Sequence, residues 1–81
     1  AEALFWFQRA AEKGDHDAQY DLGVFYSNGI GVEVNYLKAY HWFKLAAENG
    51  HKTAAEKRDS SLKKLTPDQR AELVEKSPET D

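Results

Sequence analysis

The fold of this chain is decided by a stretch of sequence that occurs twice, as ALFWFQRAAEKG at residues 3–14 and as AYHWFKLAAENG at residues 39–50. The two copies lie thirty-six residues apart and agree at seven of their twelve positions. The shared aromatic and alanine residues recur at the three- and four-residue spacing of one apolar stripe on a helix. An internal repeat of this length predicts a solenoid of stacked helical units.

The large aromatic residues of the two copies are expected to be core residues. They are Trp6 and Phe7 in the first copy and Trp42 and Phe43 in the second. Small alanines let a neighbouring helix approach closely, and the aromatic rings fill the remaining space. An aromatic ligand cage is the alternative, but the helical spacing favours a core, so Trp42→Ala is expected to cost about 3–5 kcal/mol.

Turn and capping residues divide the chain into five predicted helices. Gly14 and Gly50 follow the last periodic residue of each copy, where glycine accepts a left-handed backbone. Asp15 and Asn35 are predicted N-caps, and Gly23 inside the second helix predicts that a partner helix crosses too closely for a Cβ atom. The predicted helices cover residues 2–13, 16–28, 36–48, 52–64 and 67–76.

The C-terminal third departs from the repeat. The positions that correspond to Leu22 and Gly23 are Arg58 and Asp59, and a terminal repeat needs such a polar outer face. The run TPDQ at residues 66–69 predicts a capping box at the start of the last helix. We expect this helix to fold back over the preceding pair, and we expect residues 77–81 to form a disordered tail. The residues expected to make the fold-back contact are Ala71, Leu73 and Val74.

The sequence resembles the Sel-one-like repeat, a relative of the tetratricopeptide repeat built from two-helix units. The positions that carry the resemblance are Ala18, Leu22, Gly23, Tyr26, Gly29, Gly31, Val32, Ala39, Trp42, Phe43, Ala46, Ala47 and Gly50. It implies an all-α fold, a right-handed superhelix of antiparallel helix pairs with about five helices. It divides the chain into the second helix of a truncated repeat (1–14), a complete repeat (15–50), divergent capping helices (51–76) and the tail (77–81).

The resemblance implies a protein-interaction scaffold or adaptor without catalysis, forming the C-terminal part of a longer repeat array. In a tetratricopeptide-like superhelix, the first helix of each repeat lines a concave groove. Tyrosine there contributes contact area, and carboxylate or amide groups fix a backbone group or a cation. The predicted partner-binding residues are Asp17, Tyr20, Asp21, Val24, Asn28, Glu56 and Lys57. Thr53, Ser60 and Lys64 occupy the remaining corresponding positions of the next unit.

Two other functions stay open. One is a hydrolase acting on β-lactam or cell-wall-derived compounds, because a few bacterial relatives are of this kind; those relatives are stapled by cysteines, and this chain has none. The other is a purely structural end cap, with the working groove in upstream repeats. The resemblance favours a bacterial source, and both cytoplasm and periplasm remain open as compartments.

Composition and motif spacing exclude several other classes. The net charge of −3 provides no basic footprint for nucleic acid, and no apolar run approaches the about 20 residues of a membrane span. His16, His41 and His51 lack zinc-ligand spacing, and Asp15 with its neighbours lacks the remaining positions of a calcium loop. We expect no catalytic residue, no metal and no cofactor. The outward apolar side of the first helix is expected to drive self-association.

Overall fold

The computed structural model of this chain describes residues 2–75, apart from the side chains of Val74 and Glu75. Its five helices are α1 (Glu2–Glu12), α2 (His16–Asn28), α3 (Tyr36–Glu48), α4 (Lys52–Lys63) and α5 (Pro67–Glu75). No β-strand occurs within 2–75, so the all-α prediction is confirmed. The predicted bounds agree with the observed ones to within one residue. Lys76 and the predicted tail at 77–81 lie outside the described residues.

Side-chain caps explain where α2 and α3 begin. Asp15 Oδ1 accepts hydrogen bonds from the backbone N–H groups of Asp17 and Ala18 at 3.0 and 3.3 Å. Asn35 Oδ1 accepts one from Lys38 N–H at 3.0 Å. These bonds satisfy N–H groups that have no partner within the helix. Both predicted N-caps are therefore confirmed.

The predicted capping box and the two predicted helix-ending glycines are also present. Thr66 Oγ1 accepts from Gln69 N–H, and Gln69 Oε1 accepts from Thr66 N–H, each at 3.1 Å. This reciprocal pair fixes the start of α5. Gly14 and Gly50 follow α1 and α3 with φ values of 99° and 104°, a region that strains any residue with a Cβ atom.

Two clusters of buried side chains hold the first four helices together. The cluster between α1 and α2 consists of Ala11, Ala18 and Leu22. The cluster between α3 and α4 consists of Ala39, Phe43, Ala46 and Ala54. Tyr20 and Val24 of α2 pack on the second cluster, while Trp42 of α3 packs on the first. Each successive helix therefore packs on its neighbours in the chain, which is the arrangement of an α-solenoid.

Gly23 allows α2 and α3 to approach each other, as the sequence predicts. A Cβ atom at this position would lie 2.5 Å from Cε1 of Phe43. Phe43 is only 1% exposed, so its ring has little room to move. The close neighbour of α2 at Gly23 is thus the aromatic ring of Phe43.

The prediction of four core aromatic residues is wrong for Trp6. Phe43 is fully buried, and Phe7 and Trp42 are half-buried, but Trp6 is 60% exposed. Within the described part of the chain, α2 is the one helix that makes extensive contacts with α1. The side of α1 that carries Trp6 therefore has no helix packed against it.

A buried glutamine that the sequence did not single out ties three helices together. Gln19 is 1% exposed. Its Nε2 donates to the carbonyl of Ala11 at 2.9 Å, and its Oε1 accepts from Nδ2 of Asn49 at 3.0 Å. Both ends of the amide are satisfied, as burial requires. The ends of α1 and α3 are thereby held at a fixed distance from α2.

The last helix is attached more loosely than expected. Arg70 donates from Nε to the carbonyl of Leu62 at 3.3 Å and from Nη2 to that of Lys63 at 3.2 Å. These contacts satisfy carbonyls at the C-terminal end of α4. Ala71 is exposed and Leu73 is half-buried, so the expected packing through Ala71 is not formed. The side chain of Val74 lies outside the described part.

Candidate functional site

The predicted partner-binding face is divided by the structure into an acidic groove, a packed ridge and a basic pocket. Asp17 and Asp21 lie in the groove, Tyr20 and Val24 form the ridge, and Asn28 lies in the pocket. These five residues share one face of α2 because they are spaced three or four residues apart. The predicted surface is therefore one helix face with two different ends.

The acidic groove lies between α1 and α2 and has a volume of about 280 Å³. Its walls combine apolar side chains of α1 with three carboxylates from the first half of α2 and its N-cap. The lining residues are Ala3, Trp6, Phe7, Ala10, Asp15, Asp17, Ala18 and Asp21. An open groove of this composition suits a partner that carries both an apolar surface and a positive charge.

One carboxylate of the acidic groove, that of Asp21, has a raised pKa. Burial is the largest cause that raises the pKa of Asp21 above its ordinary value. The charge of Asp17 raises this pKa further, the attraction of His51 lowers it, and Asp15 again raises it. A cation bound in the groove would relieve the repulsion between these carboxylates.

The packed ridge is formed by Tyr20 and Val24, which serve the fold as well as the surface. The ring of Tyr20 is stacked on that of His51, with centroids 4.2 Å apart and planes 7° apart, and is tilted against Phe43 at 5.4 Å. Val24 is half-buried against the cluster between α3 and α4. Replacing Tyr20 would therefore disturb packing as well as any contact with a partner.

His51 caps a helix and contacts the acidic groove, whereas from the sequence it was considered only as a zinc ligand and rejected. Its Nδ1 accepts a hydrogen bond from Ala54 N–H at 3.2 Å and caps α4. Its Nε2 lies 3.8 Å from Oδ1 of Asp17. A signal was available, because His51 stands thirty-six residues after the N-cap Asp15.

His16 completes the polar cluster at this end of the molecule. Its Nδ1 lies 3.2 Å from Oδ1 of Asp17, in a geometry that makes no hydrogen bond, and its ring meets that of His51 edge-on at 5.8 Å. Among the described residues, no three His, Asp or Glu side chains are arranged to hold a metal ion. The cluster combines the Asp17 carboxylate with two imidazole rings at one end of the molecule.

The basic pocket lies where the C-terminal ends of α2 and α4 meet the N-terminal end of α3. It has a volume of about 230 Å³. Its polar lining includes Asn28, Tyr36, Lys57, Ser60, Ser61 and Lys64. Asn28 and Lys57, both among the predicted partner-binding residues, line the same pocket together with Tyr36 and the buried Ser61. No pattern in the sequence pointed to Tyr36 or Ser61 as residues of this pocket.

Two of the other residues expected on the partner-binding face lie on the exposed surface of α4. Glu56 and Thr53 are exposed on α4, and Glu56 lines neither the acidic groove nor the basic pocket. No helix within residues 2–75 has the length and apolar character needed to cross a membrane.

The chain matches a known repeat and several curated proteins. The sequence profile of the Sel1 repeat matches residues 1–15 and 16–51. The chain is 42% identical over 64 residues to the chitin synthase regulator SKT5 of Saccharomyces cerevisiae, a match that covers 75% of this chain and 9% of that protein. No solved structure matches it.

Two further relatives come from another fungus and from a plant. Chitin synthase regulatory factor 3 of Schizosaccharomyces pombe is 43% identical over 49 residues, covering 60% of this chain and 5% of that protein. The ERAD-associated E3 ubiquitin-protein ligase component HRD3A of Arabidopsis thaliana is 47% identical over 47 residues, covering 57% and 7%.

The chain corresponds to a small part of each of these relatives. The chain spans less than a tenth of the length of each of the three. All three are fungal or plant proteins, so they give no support to the bacterial source expected from the sequence. The profile match covers well over half of the chain, and its two segments contain α1 and the pair formed by α2 and α3. The chain belongs to the Sel1 repeat family.

Proposed function

We propose that this chain is part of a longer repeat array that acts as a protein-interaction adaptor and holds an extended segment of a partner protein along α2 and α4. The observation that carries the proposal is that one face of α2 runs from a recess lined by its own carboxylates to a pocket whose positive charge comes from Lys57 and Lys64 of the α4 region. The acidic groove lies at the N-terminal end of this face, and the basic pocket lies at its C-terminal end.

The two ends are separated by a distance that a short peptide can span. Asp17 and Asn28 are eleven residues apart on α2, which corresponds to about 16 Å along a helix axis. About five residues of extended chain cover that distance. A segment with a basic residue at one end and an acidic group at the other would bind in one orientation, because the reverse orientation would bring like charges together.

The middle of the face supplies a less polar contact. Tyr20 and Val24 are half-buried, and their outward atoms lie between the two charged ends. Their inward atoms are fixed by the core, so they lose little conformational entropy when a partner binds. The ridge would provide area, and the charged ends would provide orientation and selectivity.

The relatives support the same class of function. Two of them are named as regulators of chitin synthase and one as a component of a ubiquitin ligase. These names describe proteins that act through other proteins. The alternative of a hydrolase acting on β-lactam or cell-wall-derived compounds gains no support from them.

The proposal can be tested with a library of displayed peptides selected against the chain. Selected peptides would be measured by fluorescence anisotropy against the wild type and against the double variant Asn28→Ala with Lys57→Glu. Both residues are exposed, so circular dichroism should stay unchanged. Binding should weaken at least about tenfold if these residues contact the peptide.

A matched control is available on α3 at a residue that lines neither the acidic groove nor the basic pocket. Lys44 is exposed on α3 beside His41 and Glu48, away from both the groove and the pocket. Lys44→Glu makes the same charge change as Lys57→Glu and should leave binding unchanged. Equal binding of the selected peptides to the wild type and to the double variant would contradict the proposed surface.

Self-association through α1 is a second candidate function, favoured by two exposed aromatic side chains. Phe5 is 51% exposed and Trp6 is 60% exposed, and Trp6 lines the acidic groove. Sedimentation equilibrium should detect dimers that weaken in Trp6→Ala and persist in Tyr40→Ala on α3. A chain that stays monomeric at high concentration would contradict this candidate.

A further inference from the structure

The basic pocket has a surplus of positive charge that the fold itself does not neutralise. Lys57 and Lys64 line it, and no carboxylate does. None of the ion pairs among the described residues involves either lysine. Lys64 Nζ instead lies 5.2 Å from the centroid of the Tyr36 ring, a cation–π contact that keeps the ammonium group beside the pocket.

The partial charges at the helix ends reduce the positive charge of the basic pocket but do not reverse its sign. The C-terminal ends of α2 and α4 and the N-terminal end of α3 meet at the pocket. Each helix end acts as roughly half an elementary charge, negative at a C-terminus and positive at an N-terminus. Two C-termini and one N-terminus therefore offset only part of the charge of two lysines.

The pocket also contains uncharged hydrogen-bond donors. Ser61 is 3% exposed and lines the cavity, and its hydroxyl makes none of the side-chain hydrogen bonds found within residues 2–75. Ser60 and the amide of Asn28 line the same space. The one buried side-chain polar atom without a hydrogen-bond partner among the described residues is His16 Nδ1, so the Ser61 hydroxyl is reachable from the pocket and can donate to a ligand bound there.

The volume limits what can bind. A cavity of about 230 Å³ is smaller than the roughly 300–1,000 Å³ of sites that enclose a whole small molecule. It suits a single compact group at the end of a side chain or chain terminus. Such a group needs several acceptor oxygens and a negative charge to match two ammonium groups, two hydroxyls and an amide.

From these observations we infer that the basic pocket is an oxyanion subsite, which takes the phosphate or carboxylate group of a partner peptide. The ammonium groups of Lys57 and Lys64 supply the charge, and Ser60, Ser61 and Asn28 donate hydrogen bonds to the oxygens. This inference rests on the proposed function, because it assigns the acidic end of the bound segment to this pocket.

The inference is tested by titration followed in ¹H–¹⁵N correlation spectra. The probes are inorganic phosphate, a short phosphoserine peptide, the same peptide with glutamate, and the same peptide with unmodified serine. We expect saturable shifts at Asn28, Ser60 and Ser61 with the three anionic probes, and none with the serine peptide. Tighter binding of the phosphoserine peptide assigns the subsite to phosphate, and tighter binding of the glutamate peptide assigns it to carboxylate.

Charge-conserving and charge-removing variants separate the subsite from general attraction. Lys57→Gln should weaken binding of the preferred anionic probe by about tenfold or more, since a hydrogen bond to a charged group is lost. Lys57→Arg should retain most of the binding, and Lys44→Gln on α3 should leave it unchanged. Shifts that do not saturate, or that fall equally in Lys57→Gln and Lys44→Gln, would overturn the inference.

The two proposals fail in different ways. If selected peptides depend on Asn28 and Lys57 but carry no acidic or phosphorylated residue, the oxyanion subsite is wrong and the adaptor function stands. If anionic probes saturate the pocket while no peptide is selected, the subsite stands and the peptide-binding function is contradicted.

Discussion

Helices α1 and α3 contain the same twelve-residue motif but are covered to very different extents. Ala39 and Phe43 of α3 are 0% and 1% exposed, while their counterparts Ala3 and Phe7 are exposed and half-buried. On α3 this stripe is covered by α2, whose Tyr20 packs there. On α1 the same stripe lines the open acidic groove.

The difference shows that the repeat motif produces an apolar helix face. Whether this face is buried depends on whether another helix packs against it. The groove between α3 and α4 is filled by α2, whereas the equivalent groove between α1 and α2 is empty. The charges differ too: Asp21 in the acidic groove corresponds to Lys57 in the basic pocket. Repeat units with one backbone plan can thus present opposite charges to a partner.

The largest expected effect compares Phe43 with Phe7. Phe43→Ala should cost about 3–5 kcal/mol in the free energy of unfolding, because the ring is fully buried. Phe7→Ala should cost at most about half as much, because less apolar surface leaves water at that position. Urea denaturation followed by circular dichroism measures both. Equal costs would show that α1 is covered in solution; if Phe43→Ala does not fold, Phe43→Leu and Phe7→Leu give the same ranking.

The tryptophan pair gives the next largest difference. Trp42 is half-buried against the cluster between α1 and α2, so Trp42→Ala should lie near the lower end of about 3–5 kcal/mol. Trp6→Ala should change the stability by less than about 1 kcal/mol, as expected for an exposed position. A cost below about 1 kcal/mol for Trp42→Ala would show that Trp42 is not part of the core.

The variant Gly23→Ala tests the close contact between Gly23 of α2 and the ring of Phe43 on α3. Helix α1 makes no such contact. Alanine favours a helix over glycine by about 1 kcal/mol, but its Cβ would lie 2.5 Å from the ring of Phe43. We expect a net loss of about 1–3 kcal/mol from overpacking. In a Phe43→Leu background the loss should shrink, and a double-mutant cycle measures this coupling. A stabilising Gly23→Ala would contradict the contact.

The smallest effect concerns the charges of the acidic groove. The pKa of Asp21 is raised in the folded state, so the ionised carboxylate destabilises the fold and protonation removes this penalty. Asp21→Asn should therefore raise the urea midpoint at about pH 7 and give no gain at about pH 3, below the folded and unfolded pKa values. Glu56→Gln, at an exposed position on α4, is the control. A loss of stability at neutral pH would show that attraction to His51 outweighs burial and repulsion from Asp17.

Much of the fold could be predicted because its determinants are local. The N-caps Asp15 and Asn35, the capping box at Thr66 and the left-handed glycines each act within a few residues, so the sequence reveals them directly. The candidate site was harder. Its residues on α2 follow from helical spacing, but the division into two recesses depends on which neighbouring helices are present.

Three side chains show what local patterns could not supply. Gln19 is buried because its amide meets Ala11 and Asn49 from two other helices. Ser61 lines the basic pocket because the C-terminal ends of α2 and α4 meet there, and Trp6 stays exposed because no described helix covers it. Each depends on contacts between residues distant in the chain, which periodicity does not encode.

The sequence by itself determined the helices, their caps and the repeat register, because these follow from hydrogen bonds and apolar spacing within single elements. Only the tertiary structure decided which copy of the motif is buried, and where lysines, hydroxyls and carboxylates gather. Burial and electrostatic fields depend on the distances between elements, and those distances are set by how each helix packs against the next.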